Sequence, residues 1–342
     1  MKYAALLVLL CMTVACSTDD TVATVEQWPH IPAGFPPVPV PADNPLTKEK
    51  AELGRFLFYD KQLSLDGTVS CASCHRSATA FSDAPNQISA GVESRRGQRN
   101  SPMIVNAAYA PTLFWDGRAP SLEEQAMAAF LSPVEMAADT FAVAAYLRRQ
   151  YADRWVRVFG DTTVTMMRAM QAIASFERTL ISANSRYDKF LRGDTAALST
   201  SERRGMRLFF SDRTMCGECH GGPLLTDNKF HNIGLFFHYF DKGRYDVTGN
   251  LDDEALFRTP TLRNVALSAP YMATGDADPG IMMTLEQVVD HYNDGGKPFA
   301  TKDKRVRKLG LSDQEKRDLV EFMKALTDSS VITDPRFADP FR

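Results

Sequence analysis

Two short stretches, "CASCH" at 71–75 and "CGECH" at 216–220, constrain this 342-residue chain more than any other feature. Of its six cysteines, Cys11 and Cys16 lie near the start, and Cys71, Cys74, Cys216 and Cys219 make up the two pairs. No cysteine remains for an ordinary disulfide, and each pair is followed at once by a histidine that disulfide chemistry does not require. Two thiols three positions apart on one helical turn reach the two vinyl groups of a porphyrin, while the next imidazole turns beneath the ring to bind iron. Cys71, Cys74, Cys216 and Cys219 therefore read as attachment points for two covalently bound c-type haems, with His75 and His220 as proximal ligands. The competing readings are a zinc site gathering the four thiols, or a redox dithiol. The separation of the pairs far exceeds a zinc-ribbon spacing, and neither reading uses the histidines.

The surroundings repeat as well. "ELGRFLFYD" (52–60) aligns with "RRGMRLFFS" (203–211), placing Gly54 on Gly205, Leu57 on Leu208 and Phe58 on Phe209. "FSD" at 81 and "LTD" at 225 follow the haem motifs at similar distances. Such self-similarity points to duplication. Apolar residues at three- and four-residue steps predict helices after Thr47, from Ser121, from Thr165, over 199–210, over 285–292 and over 312–326, and strand signals are few and short. The expectation is a mainly α fold of two c-type cytochrome haem domains related by duplication. The N-terminal peroxidatic domain spans 46–190 and the C-terminal electron-transfer domain 195–330, with a boundary near "RYDKFLRGD".

The opening "MKYAALLVLLCMTVAC" has one positive charge, a short apolar run and small residues before Cys16, the pattern of an export signal over 1–16. Its end resembles a bacterial lipobox with Cys16 as the lipid-bearing residue; a conventional signal peptide is the alternative. The expected location is the periplasm or cell envelope. Residues 17–45 are rich in proline and read either as an extended tether or as an arm lying on the body. The net charge of −3 offers no basic footprint for nucleic acid.

Taken in order, "RNSPMIVNAAY" (99–109), "FWDGRAPSLEEQA" (114–126), "SPVEM" (132–136), "CGECHGGPLLTDNKFHNIG" (216–234) and "TPTLRNVALSAPYM" (259–272) resemble the bacterial di-haem cytochrome c peroxidases and their MauG-like relatives. The resemblance implies one haem that reacts with hydrogen peroxide, a second that passes electrons, and a calcium ion between them. It places Gln125 and Glu135 in the distal pocket of the His75 haem. There a water-shielded carboxylate can take a proton from one peroxide oxygen and return it to the other, and Gln125 can orient peroxide. A solvated helix face is the plain alternative for both. Trp115 matches the aromatic between the haems, and Asn100, with the backbone carbonyls of Ser268 and Pro270, matches the calcium ligands.

Two departures matter. Where many family members carry a removable distal histidine, "SAGVESRRG" has Val92, which cannot bind iron, so the first haem should keep an open sixth position. Along "TLEQVVDHYNDGG" the second haem's distal ligand falls on Tyr292, with His291 and Met272 as rivals. A phenolate there would lower the potential. "PYMATGDADPGIMM" also carries about five extra residues relative to the family pattern, judged by loop-length comparison.

Three functions follow: a peroxidase fed by cytochrome c or a similar donor, a MauG-like oxidase that modifies a partner protein, or a non-catalytic di-haem electron carrier. The partners expected are hydrogen peroxide, a redox protein or protein substrate, and a second copy of the chain as a homodimer. Contact with a membrane is expected only through a lipid at Cys16.

Overall fold

The computed structural model describes residues 28, 29, 31–272 and 281–342. The export segment with Cys16 and most of the extra residues near 275 lie outside the described residues. Thirteen α-helices occur among the described residues: α1 (Lys48–Tyr59), α2 (Cys71–Cys74), α3 (Leu122–Leu131), α4 (Thr140–Gln150), α5 (Ala152–Phe159), α6 (Met166–Glu177), α7 (Arg186–Leu191), α8 (Thr200–Phe209), α9 (Cys216–Cys219), α10 (Tyr245–Thr248), α11 (Leu285–Asp294), α12 (Asp313–Lys324) and α13 (Ser330–Thr333). Two strands of two residues, β1 (Phe230–His231) and β2 (Phe257–Arg258), pair antiparallel. The mainly helical expectation is met. Thr47, Ser121, Thr165, Ser199, Thr284 and Ser312 each cap a helix, accepting a hydrogen bond from a first-turn backbone N–H.

Residues 31–342 form one compact unit containing two large apolar cores. In the first, α1 crosses α6 so closely that a Cβ on Gly54 would meet the Ala172 carbonyl oxygen at 1.8 Å. In the second, α8 crosses α12, and a Cβ on Gly205 would meet the Asp318 carbonyl oxygen at 1.9 Å. Only glycine allows backbones to approach this far. Each crossing is filled by an edge-on aromatic pair, Phe58 with Phe176 at 5.2 Å and Phe209 with Phe322 at 5.3 Å.

The repeat continues where sequence reading did not follow it. Asn106 and Asn264 both adopt left-handed backbone. The Asn106 N–H donates to the Leu180 carbonyl and that of Asn264 to the Leu326 carbonyl, while their side-chain oxygens accept from the Ser182 and Asp328 N–H groups.

The stretch 186–194, expected at a boundary, begins with α7, closed by a Ser185–Asp188 capping box. Asp188 accepts two 2.8 Å bonds from the buried Arg263 guanidinium, and Tyr187 belongs to the second core. Residues 31–45 of the proline-rich segment lie on the body. Phe35 packs edge-on against Tyr109 at 6.3 Å, Arg178 Nε donates to the Pro39 carbonyl, and the buried Asn44 donates to Glu123 at 2.6 Å. Over 31–45 backbone carbonyls and Asn44 thus find partners on the body.

Candidate active site

Each attachment motif forms one helical turn, α2 and α9, and none of Cys71, Cys74, Cys216 and Cys219 is paired in a disulfide. The histidine that ends each turn donates its Nδ1–H to a backbone carbonyl, His75 to Phe81 (3.1 Å) and His220 to Leu225 (3.3 Å). Phe81 and Leu225 are both buried and both have positive φ, which turns their carbonyls toward the imidazoles. This gives "FSD" and "LTD" their physical role: each orients a ring and leaves Nε2 as the atom for iron. Burial pushes the His75 imidazole below its ordinary value and His220 to about 4, against partial support from those carbonyls. Both rings are thus neutral at physiological pH, the form in which an imidazole can bind a metal.

A cavity of about 320 Å³ opens beside the second motif, bordered by Cys216, Cys219, His220 and Tyr292. Arg258 also borders it, and burial lowers its guanidinium to about 10. A cavity lined by two thiols, an imidazole and a buried cation fits a porphyrin with its acid groups. No such fit exists for zinc bound by the four thiols. Among the described residues, the cluster of histidine, cysteine and carboxylate atoms within 4.8 Å of one another is Cys219, Asp227 and His231, which includes one cysteine only.

At the first motif, Glu135 sits in the turn that follows α3. Burial raises its carboxyl above the ordinary range, against Arg118 and a hydrogen bond with Ser132. Its charge reaches both the Cys71 and Cys74 thiols, which brings it to the first haem site. Gln125 lies half-buried on α3. Val92 is completely buried, and its N–H donates to the Glu135 carbonyl at 2.9 Å, so the segment lacking a distal histidine is fastened to the turn carrying the carboxylate.

Trp115 and Asn100 border the same cavity as the second motif, and Trp115 Nε1 donates to the Asn100 carbonyl at 2.8 Å. Ser268 and Pro270 border it too. Asn100 donates its amide hydrogens to the carbonyls of Asn86 and Gln87, so its side-chain oxygen is the atom it can offer a cation. Tyr292 and Met272 both line the cavity, whereas His291 engages the Ile233 carbonyl through Nε2 at 3.0 Å. Burial drives the Tyr292 phenol well above its ordinary value, with further contributions from Cys216 and Cys219.

Sequence reading missed the charged links around Trp115. Arg99 binds Asp241 through two 2.7 Å bonds and also binds Asp116, while Arg244 donates to the carbonyls of Asp116 and Gly117. At Gly117, with φ +71, a Cβ would meet the Phe230 ring at 2.4 Å. The "FWDG" turn is therefore pressed against β1, a contact between residues more than a hundred positions apart that no local pattern announces.

Residues 48–196 match a family described as di-haem cytochrome c peroxidase. The chain is 38% identical over 355 residues to the cytochrome-c peroxidase IdrP1 of Pseudomonas sp. (strain SCT), covering 94% of this chain and 92% of the relative. It is 35% identical over 292 residues to the methylamine utilization protein MauG of Methylophilus methylotrophus, covering 84% and 85%. A crystal structure of a MauG-like protein associated with microbial copper homeostasis superposes with a TM-score of 0.86 at 36% identity, over 92% of this chain and 99% of the other.

Proposed function

The chain belongs to the di-haem cytochrome c peroxidase family, and from that premise we propose that it reduces hydrogen peroxide to water at the haem of Cys71, Cys74 and His75. Electrons from cytochrome c or a similar donor enter through the haem of Cys216, Cys219 and His220. When bound, the haems supply the iron at which the O–O bond is cleaved and the path by which electrons arrive. The observation that carries the reading is Glu135, a shielded carboxyl with raised proton affinity beside the first attachment thiols. It takes the proton of one peroxide oxygen and delivers it to the other, which leaves as water. Gln125 orients peroxide by hydrogen bonding, and the Val92 side chain cannot occupy the sixth position. Trp115, which borders the cavity beside the second motif, would serve electron passage between the haems. An electron carrier gains nothing from such a carboxyl.

Tyr292 at the second site supports a second reading. A phenol ligand there disfavours electron uptake from a high-potential donor and suits a MauG-like oxidase acting on a partner protein. Asn100, Ser268 and Pro270, all lining the cavity beside the second motif, would hold calcium through oxygen atoms. Export to the periplasm, with a lipid at Cys16, is part of the same proposal; no helix among the described residues is long and apolar enough to cross a membrane.

Steady-state consumption of peroxide with reduced cytochrome c tests the leading reading. Turnover of both reactants in a two-to-one ratio of electrons to peroxide is expected. No cytochrome oxidation, with peroxide-dependent covalent change in another exported protein, would favour the oxidase instead.

A further inference from the structure

Glu177, the last residue of α6, is 5% exposed, and its Oε2 is buried without a hydrogen-bond partner. A buried polar atom left unpaired is costly, so its retention calls for a reason. The neighbouring cation does not supply one. Arg178 directs both terminal nitrogens to Glu123 of α3 and its Nε to the Pro39 carbonyl. Glu123 is also bound by Asn44, which accepts from Lys50 of α1. On its other flank Glu177 acts on the Cys71 thiol of α2, the same thiol that Glu135 reaches from the turn after α3.

The internal repeat states where this carboxyl sits. The Ala172 carbonyl meets Gly54 as the Asp318 carbonyl meets Gly205, and Phe176 pairs with Phe58 as Phe322 pairs with Phe209. Glu177, next after Phe176, therefore corresponds to Met323, next after Phe322. Met323 lines the cavity of the second haem site, as does Leu319 on the same helix. The duplicated fold thus sets a carboxyl in the first pocket where the second has a thioether.

We propose that Glu177 forms part of the wall of the first haem pocket, taking up one proton from solvent when an electron enters that haem and releasing it when the electron leaves. The inference rests on the di-haem reading above. Burial raises its pKa to about 8, with Arg178 opposing and Glu123 reinforcing, so beside an uncharged reduced haem the proton is held at neutral pH, and the extra positive charge of the oxidised haem lowers that value and releases it. Oxidised iron carries one more positive charge than reduced iron and favours the carboxylate, so proton and electron affinities are linked. Peroxide reduction uses two electrons and two protons for two waters, and Glu177 lets one proton arrive with its electron. Met323 cannot do this at the second haem.

The test is a redox titration of each haem in the two-haem protein, from about pH 6 to about pH 9, either side of the Glu177 value. The first haem's reduction equilibrium constant should fall with rising pH, approaching tenfold per unit. That dependence should persist in Glu135→Gln, vanish in Glu177→Gln and Glu177→Met, and be absent at the second haem. A first haem whose equilibrium ignores pH in the unsubstituted protein overturns the proposal, as does an undiminished slope in a two-haem Glu177→Gln protein. If peroxide turnover is normal in either case, the peroxidase reading stands without it.

Discussion

Glu135 and Tyr292 are the residues at which the chemistry can be tested singly. Glu135 must be ionised to accept the first peroxide proton, and burial raises its pKa. The second-order rate constant for peroxide should therefore rise with pH through that raised value and then level off, losing activity below it. Glu135→Gln should slow the reaction about a hundredfold and remove this rise, measured by stopped-flow absorption. An unchanged rate would take Glu135 out of the proton path. Tyr292→Phe should change the low-temperature electron paramagnetic resonance signal of the second haem alone. An identical signal would transfer the ligand role to Met272, which borders the same cavity. Glu135 was named in the sequence through the "SPVEM" motif, and Tyr292 by counting along "TLEQVVDHYNDGG" with His291 and Met272 as rivals. Glu177 was not, because a lone glutamate at the end of an amphipathic helix gives no local sign that its carboxyl is buried.

At the scale of elements, the α1–α6 and α8–α12 crossings hold each attachment helix in place, and both depend on glycine. Gly54→Ala would push its Cβ into the Ala172 carbonyl. The helices must separate, at a cost of about 3 kcal/mol, visible as a lowered denaturant midpoint. Gly205→Ala should cost a similar amount, and a neutral effect at either site would show that the crossing is looser than drawn. The paired glycines and phenylalanines were visible in the aligned "GRFLF" and "GMRLF" stretches. Their partners in α6 and α12 were not, since the alignment reached only the segments flanking the haem motifs. The Asn106 and Asn264 turns escaped notice for a similar reason: their partners lie more than sixty residues away.

For the whole molecule, function requires that two sites built by duplication act unequally and communicate. The asymmetry lies in Val92, Glu135 and Glu177 on one side and Tyr292 and Met323 on the other. The proposed path of communication runs past Trp115, whose turn is held by Arg99, Asp241 and Arg244. Asp241→Ala should slow electron passage between the haems about tenfold, by loosening that turn, while leaving peroxide reaction at a pre-reduced protein intact. Equal inter-haem rates would show that the turn is held by its other contacts. The central claim, an open first haem served by Glu135, is tested most directly by mixing the resting oxidised protein with one equivalent of peroxide and following the Soret band. An immediate change whose rate grows with peroxide concentration, without prior reduction, is the result this account predicts. A band that stays unchanged until the protein is first reduced would contradict it.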